Sequence, residues 1–180
     1  HQAAVIPYLI SVAQDQSLWY QEAEGEGQAP IRAVEVLGKL GVGEAVEPLL
    51  QILTVTEEGD CLYDQILSTL REIGKPGLRA LLDVMSYSRD RRFKLALAPI
   101  LGAVGQGSDA ALRALIALYQ ETAAEEDSAL ALLGLATLEN EEAIPLLESA
   151  LQDSRLTPID AREIREALDQ MEAKRMPQNR

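Results

Sequence analysis

The amino-acid sequence repeats itself with a period of about 33 residues, and this feature constrains the fold more than any other. A five-residue string that opens with leucine, and in three of its copies ends with glycine, occurs five times. The copies are LGKLG at 37–41, LREIG at 70–74, LGAVG at 101–105, LATLE at 135–139 and LDQME at 168–172. A second string with a central apolar pair, such as VEPLLQIL at 46–53, follows each of the first four copies. Two landmarks with one period indicate a tandem array of similar units.

Each unit is predicted to contain two amphipathic helices joined by a sharp turn. The apolar residues of VEPLLQIL have the spacing of one helix face, and glycines between the two strings permit the left-handed conformation that closes a helix. A final helix is predicted to begin near Thr157, because Thr is a common N-cap and Pro158 suits the first helical position. The predicted first helices lie at about 29–40, 60–73, 90–104 and 124–138, and the second helices at about 44–54, 78–87, 109–121 and 141–152.

The predicted fold is all-α, an α-solenoid (superhelix) of antiparallel helix pairs, because no pair can bury its apolar stripe alone. We expect a right-handed array that forms a single domain over residues 1–180. Pro99 is expected to kink or displace its helix, and the Leu18-Trp19-Tyr20 cluster is expected to fold back over Ile6 and Ile10. The parts are a partial unit at 1–20, an acidic loop at 21–29, repeats at about 29–54, 60–87, 90–121 and 124–152, and a terminal helix at 157–174.

Charge and composition disfavour several classes of protein. The chain has 16 Lys and Arg against 29 Asp and Glu, which gives a formal net charge of -13. One His and one Cys disfavour a His-rich metal site and exclude an internal disulfide. The cysteine, Cys61, has no His or basic neighbour that would activate it and is predicted to be a buried structural thiol. The sequence offers no Ser-His-Asp set, Cys-His pair or phosphate-binding loop, so we predict no catalytic residues, no metal and no cofactor.

The units resemble short HEAT-like repeats of the kind first named from phycobilisome lyases (PBS lyase HEAT-like repeats), with an armadillo-type architecture. The closest match is RAVEVLGKLGVGEAVEPLLQIL at 32–53, with its Leu-Gly-x-Leu-Gly string, its Ala-Val step and its Pro before Leu-Leu. The resemblance covers residues 31–153, although Glu139, like Glu172 in the terminal half-unit, replaces the turn glycine. It implies an α-solenoid used as a protein-interaction surface. A minority of relatives attach or detach bilin chromophores on light-harvesting proteins.

Three functions remain open. The first is a non-catalytic, cytoplasmic scaffold that binds another protein. Because the chain is acidic, it would attract a partner that has a basic surface. The alternative, and the only enzymatic one, is a bilin lyase-like or chromophore-handling subunit that acts on a phycobiliprotein with a partner subunit. The third is a nucleic-acid-binding solenoid, which the charge of -13 disfavours. No membrane contact is predicted, because the chain has no run of about 18 apolar residues.

The resemblance implies that second helices line the inner surface of the solenoid. Their residues just beside the core stripe are therefore predicted to face a partner, and ordinary solvated helix faces are the alternative for each of them. The predicted partner-binding residues are Glu47, Gln51, Arg79, Asp83, Tyr87, Arg113, Gln120 and Glu148.

The connections between units alternate in charge, and two interpretations of this pattern stay open. One is a ladder of inter-repeat ion pairs that fixes the register of the stack, each pair worth under about 1 kcal/mol. The other is a local site for an anion or an acidic partner, because cations at the start of a helix oppose its dipole. The acidic clusters lack the spacing of a calcium loop. The residues are Glu57, Glu58 and Asp60, then Arg89, Arg91 and Arg92 with Lys94, then Glu125, Glu126 and Asp127.

Overall fold

The computed structural model describes residues 2–20, 25–122, 128–152 and 156–175, and this part of the chain is helical throughout, with no strand. The helical-repeat solenoid class predicted from the sequence is confirmed. The described α-helices are α1 Gln2–Gln14, α2 Gln28–Leu40, α3 Val46–Leu53, α4 Cys61–Ile73, α5 Leu78–Tyr87, α6 Arg91–Val104, α7 Asp109–Thr122, α8 Ala129–Leu138, α9 Ile144–Ala150 and α10 Pro158–Arg175. Short 3-10 turns precede α3, α5 and α9.

The chain divides into two compact units, residues 1–80 and 81–180. Whether the two fold as one domain, and the handedness of the array, stay predictions. In the first unit, α2 packs against α1 and α4, and α3 packs against α1 and α4. Leu37, Leu49, Ile66 and Leu70 are fully buried there, so the apolar stripes of successive repeats form one core. The Thr69 hydroxyl donates a hydrogen bond to the carbonyl of a residue on α2 (3.3 Å), which joins two first helices.

In the second unit, α6 and α8 lie unusually close together. A Cβ built on Gly102 would lie 2.1 Å from the carbonyl oxygen of Gly134, and one built on Gly134 would lie 2.5 Å from the carbonyl oxygen of Ala98. Only glycine fits where one backbone approaches another at this distance. α8 also packs against α7, α9 and α10, and it supplies three of the fully buried leucines, Leu132, Leu135 and Leu138.

Left-handed residues end two of the first helices, α2 and α8, whereas Gly105 at the end of α6 has φ -87°. Gly41 closes α2 with φ +63°, and its N–H donates to the carbonyl of Gly38 (2.8 Å). Glu139, which replaces the glycine in the fourth repeat, adopts the same left-handed conformation with φ +53° at the end of α8. Glu172 differs, because α10 continues through it to Arg175 without a turn.

The start predicted for the last helix is confirmed, whereas the predicted cover of Ile6 and Ile10 by Leu18-Trp19-Tyr20 stays a prediction, and Tyr20 is 62% exposed. Ile6 is buried, and the Trp19 indole N–H donates to the carbonyl of Ala13 (2.9 Å), so the segment after α1 folds back on the end of that helix. At the other end, the Thr157 hydroxyl accepts a hydrogen bond from the backbone N–H of Asp160 (3.1 Å). It also donates to the Asp160 carboxylate (2.6 Å), which makes Thr157 the N-cap of α10.

One predicted boundary needs a small correction. The acidic loop predicted at 21–29 ends earlier, since a turn at 25–27 leads directly into α2 at Gln28; residues 21–24 lie outside the described residues. Pro99 lies inside α6, which runs as one helix from Arg91 to Val104, and the kink or displacement expected there stays a prediction.

Candidate functional site

In the first unit, the predicted partner-binding residues lie on the outward faces of second helices. The apolar side of α3 is buried, whereas Glu47 and Gln51 stand one turn apart on its exposed side. Arg79, in the first turn of α5, is also exposed and makes a further interaction. The 3.6-residue period explains the arrangement, because positions i and i+4 share a face.

The second unit repeats this arrangement. Asp83 and Tyr87 stand one turn apart on α5, and Tyr87 is 70% exposed, the most exposed large hydrophobic side chain of the described residues. Arg113 and Gln120 are exposed on α7, and Glu148 is exposed on α9. All eight predicted residues are therefore accessible to a partner, and their role in binding stays a prediction.

The basic connection before α6 contains a buried cation. Lys94 is 6% exposed, and its Nζ donates to Oε2 of Glu121 (2.7 Å). The Nε of Arg91 donates to Oε1 of the same carboxylate (3.0 Å). Hydrogen bonds from Lys94 and then from Arg91 hold the pKa of Glu121 below its ordinary value, because they stabilise the charged form. Glu121 thus binds two cations from the start of α6.

Sequence reasoning did not single out Glu121, although a signal for it was present. α6 and α7 form an antiparallel pair, so the first turns of α6 must face the last turn of α7. An acidic residue at the end of α7 then lies opposite Arg91 and Lys94. Both cations share a carboxylate of their own repeat, Arg91 makes a further interaction, and the inter-repeat ladder stays a prediction. Glu125, Glu126 and Asp127, the acidic residues assigned to the ladder beyond this point, lie outside the described residues.

The other two arginines of the connection differ from Arg91. Arg89 and Arg92 are exposed, and neither forms a hydrogen bond or an ion pair with any residue that the structure describes. Asp90, between them, accepts a hydrogen bond at Oδ1 from the backbone N–H of Phe93 (3.1 Å) and caps α6. The structure therefore separates the basic connection into cations that bind Glu121 and cations that face solvent.

The acidic connection at the start of α4 has a local structural role. Glu57, Glu58 and Asp60 are exposed, and Oδ2 of Asp60 accepts a hydrogen bond from the backbone N–H of Glu57 (3.4 Å). Among the described residues, no group of three or more His, Cys, Asp or Glu side chains is arranged to hold a metal ion. None of the described helices is long and apolar enough to cross a membrane.

Cys61 is exposed, and the prediction of a buried thiol is wrong. It occupies the first position of α4, directly after Asp60. The buried face of this helix begins with Leu62 and Tyr63 and continues at Ile66. The first residue of the helix thus falls outside the core stripe, which the preference of cysteine for protein interiors did not anticipate.

Comparison with known proteins gives one family. No curated protein and no solved structure matches the chain significantly. The model of the PBS lyase HEAT-like repeat matches at two places, which correspond to α2 with α3 and to α8 with α9. The chain is therefore similar to the PBS lyase HEAT-like repeat at residues 30–54 and 129–153, the repeat that its sequence resembles.

Proposed function

We propose that the protein is a non-catalytic interaction module that binds another protein through the exposed faces of its second helices. HEAT-like repeats generally mediate protein interactions. The observation that most supports the proposal is the recurrence of exposed residues beside the buried stripe of second helices, at Glu47 and Gln51 in one unit and at Arg113, Gln120 and Glu148 in the other.

The chemistry of these faces favours a partner with a basic surface. Glu47, Asp83 and Glu148 are acidic, and the net charge of -13 attracts a basic protein from a distance. Tyr87 would supply the apolar contact, since exposed aromatic residues commonly become energetic centres of interfaces. Electrostatic attraction of this kind raises the association rate and weakens as salt is added.

Capture of the partner by immobilised full chain tests the proposal when paired with matched variants. The test variant is Glu47→Lys with Glu148→Lys, which reverses one charge on a second helix of each unit. The control is Glu163→Lys with Asp169→Lys, two exposed acidic residues of α10 with the same total charge change. We expect the captured protein to be lost from the test variant and retained by the control. Equal retention by both variants would contradict a binding surface on the second helices.

A bilin-handling role is the second candidate, and the match to a repeat named from phycobilisome lyases supports it. Such a subunit would act on a phycobiliprotein with a partner subunit. Mixing the chain with a phycobiliprotein and free bilin, and recording the bilin absorbance, tests this role. A spectrum that does not change, with or without the partner subunit, would remove it.

A further inference from the structure

The segment 89–94 concentrates positive charge in an acidic protein. It contains Arg89, Arg91, Arg92 and Lys94, four of the 16 basic residues of a chain whose net charge is -13. Counting the described acidic residues Asp90 and Glu121 with them leaves two positive charges, one at each carboxylate. Arg91 and Lys94 both bind Glu121, whereas Arg89 and Arg92 flank Asp90 and form no ion pair with a described residue.

Arg89 and Arg92 have no structural role that the described residues reveal. Both side chains are exposed, and neither takes part in an ion pair or hydrogen bond within the described part of the chain. α6 has two arginines and no acidic residue in its first turn. A cation at this end of a helix opposes the helix dipole, so Arg92 lowers the stability of α6.

The backbone at the start of α6 is already satisfied, so the helix end itself is not the binding feature. Asp90 accepts the N–H of Phe93, and the N–H of Lys94 donates to the backbone carbonyl of Asp90 (3.1 Å). The available donors are the guanidinium groups of Arg89 and Arg92. A guanidinium group presents paired N–H donors that match the two oxygens of a carboxylate.

We propose that Arg89 and Arg92 form a docking site for a carboxylate-rich peptide segment of another protein. This site is separate from the second-helix faces and goes beyond the proposed function, so either can fail while the other holds. A short peptide feels mainly the charges within about 8 Å at physiological salt, and the segment 89–94 itself carries four basic residues and one acidic residue. A nucleic acid is a long polyanion that would extend over the acidic remainder of the chain, which makes it the less favourable ligand.

Fluorescence anisotropy with a labelled peptide of repeated Glu-Glu-Leu units tests the proposal on the full chain. We expect binding at low salt that weakens with added salt. The variant Arg89→Glu with Arg92→Glu should lose about tenfold in affinity, the effect of two exposed ion pairs of ordinary strength. The control Arg71→Glu with Arg165→Glu changes the net charge equally, at exposed arginines of α4 and α10, and should bind the peptide as the unmodified chain does to within about twofold.

Stability and a second polyanion complete the test. Urea unfolding should show that Arg89→Glu with Arg92→Glu is at least as stable as the unmodified chain, since an acidic residue at the start of α6 complements the helix dipole. A loss of stability with unchanged peptide affinity would overturn the proposal and make both arginines structural. Absence of peptide binding by the unmodified chain would also overturn it. So would tighter binding of labelled single-stranded DNA that depends on the same two arginines.

Discussion

Glu121→Ala should destabilise the protein mainly by leaving Lys94 without its carboxylate. The Lys94 side chain is 8% exposed, and Glu121 is its only acidic partner among the described residues. Removing one partner of a desolvated ion pair costs about 3–5 kcal/mol, whereas exposed pairs contribute under about 1 kcal/mol. The Glu121 side chain is 39% exposed, so water can reach the Lys94 ammonium after the substitution. We therefore expect a loss of about 2 kcal/mol in the free energy of unfolding.

A double-mutant cycle separates the buried charge from the other effects of the substitution. Lys94→Met keeps the apolar part of the side chain and removes the charge, so alone it should cost less than about 1 kcal/mol. In that background, Glu121→Ala removes only the exposed contact with Arg91 and should cost under about 1 kcal/mol. Urea unfolding followed by far-ultraviolet circular dichroism measures all four proteins. An equal cost of Glu121→Ala in both backgrounds would refute the argument.

The same carboxylate gives stability a defined pH dependence. Hydrogen bonds from Lys94 and Arg91 lower the pKa of Glu121 from its ordinary value of 4.5. The unfolded chain therefore binds the proton more readily, and the stabilisation is complete above pH 4.5 and is lost as the pH falls through the lowered pKa. Glu121→Gln should reduce this acid-dependent loss in urea unfolding repeated between neutral and acidic pH. Identical pH profiles for the variant and the unmodified chain would contradict the assignment.

Three further substitutions test local features of the repeats. Gly102→Ala would place a Cβ 2.1 Å from a carbonyl oxygen of α8 and should cost about 2 kcal/mol or more, whereas Gly38→Ala meets side chains of Glu72 and Thr69 rather than a backbone and should cost less, about 1 kcal/mol. Urea unfolding compares the two, and equal effects would argue against a close approach of α6 and α8. Glu139→Gly should raise the stability by about 1 kcal/mol by relieving a left-handed residue, and a lower melting temperature would show that its ion pair with α10 matters more. Thr157→Ala should cost about 1 kcal/mol as a lost N-cap, with Thr157→Ser as the control that keeps the hydroxyl.

The positions of the helices could be predicted from the sequence because every unit gives the same signal. α2, α4, α5, α6 and α7 agree with their predicted limits within about one residue. The second helices α3 and α9 begin later than predicted, since 3-10 turns at Gly43–Ala45 and Glu141–Ala143 occupy their first positions. The apolar spacing shows which side of a helix is buried. A 3-10 turn of three residues is too short to change that spacing, so the sequence pattern cannot show where the turn ends and the α-helix begins.

The candidate site could be predicted only in part, because pairing depends on distances between helices. The exposed positions beside the stripe, such as Glu47 and Gln51, follow directly from the period of 3.6 residues. The partner of Lys94 does not, since Glu121 is 27 residues away and becomes a neighbour only when α6 and α7 pack as an antiparallel pair. Cys61 was misplaced for a related reason: residue type favoured burial, while its place in the first turn of α4 decided its exposure.

Stability and binding should be separable within the single segment 89–94. Arg91 and Lys94 attach the start of α6 to Glu121 on α7, so substitutions there act first on the free energy of unfolding. Arg89 and Arg92 project from the same turn without a described partner, so substitutions there should act on peptide affinity alone. The buried Lys94 holds the first turn of α6 against α7 before any ligand binds. Binding at Arg89 and Arg92 would therefore cost less conformational entropy than binding at a free helix end. Lys94→Met should therefore leave the peptide affinity of the folded protein unchanged within about twofold, whereas Arg92→Glu should lower that affinity without lowering stability.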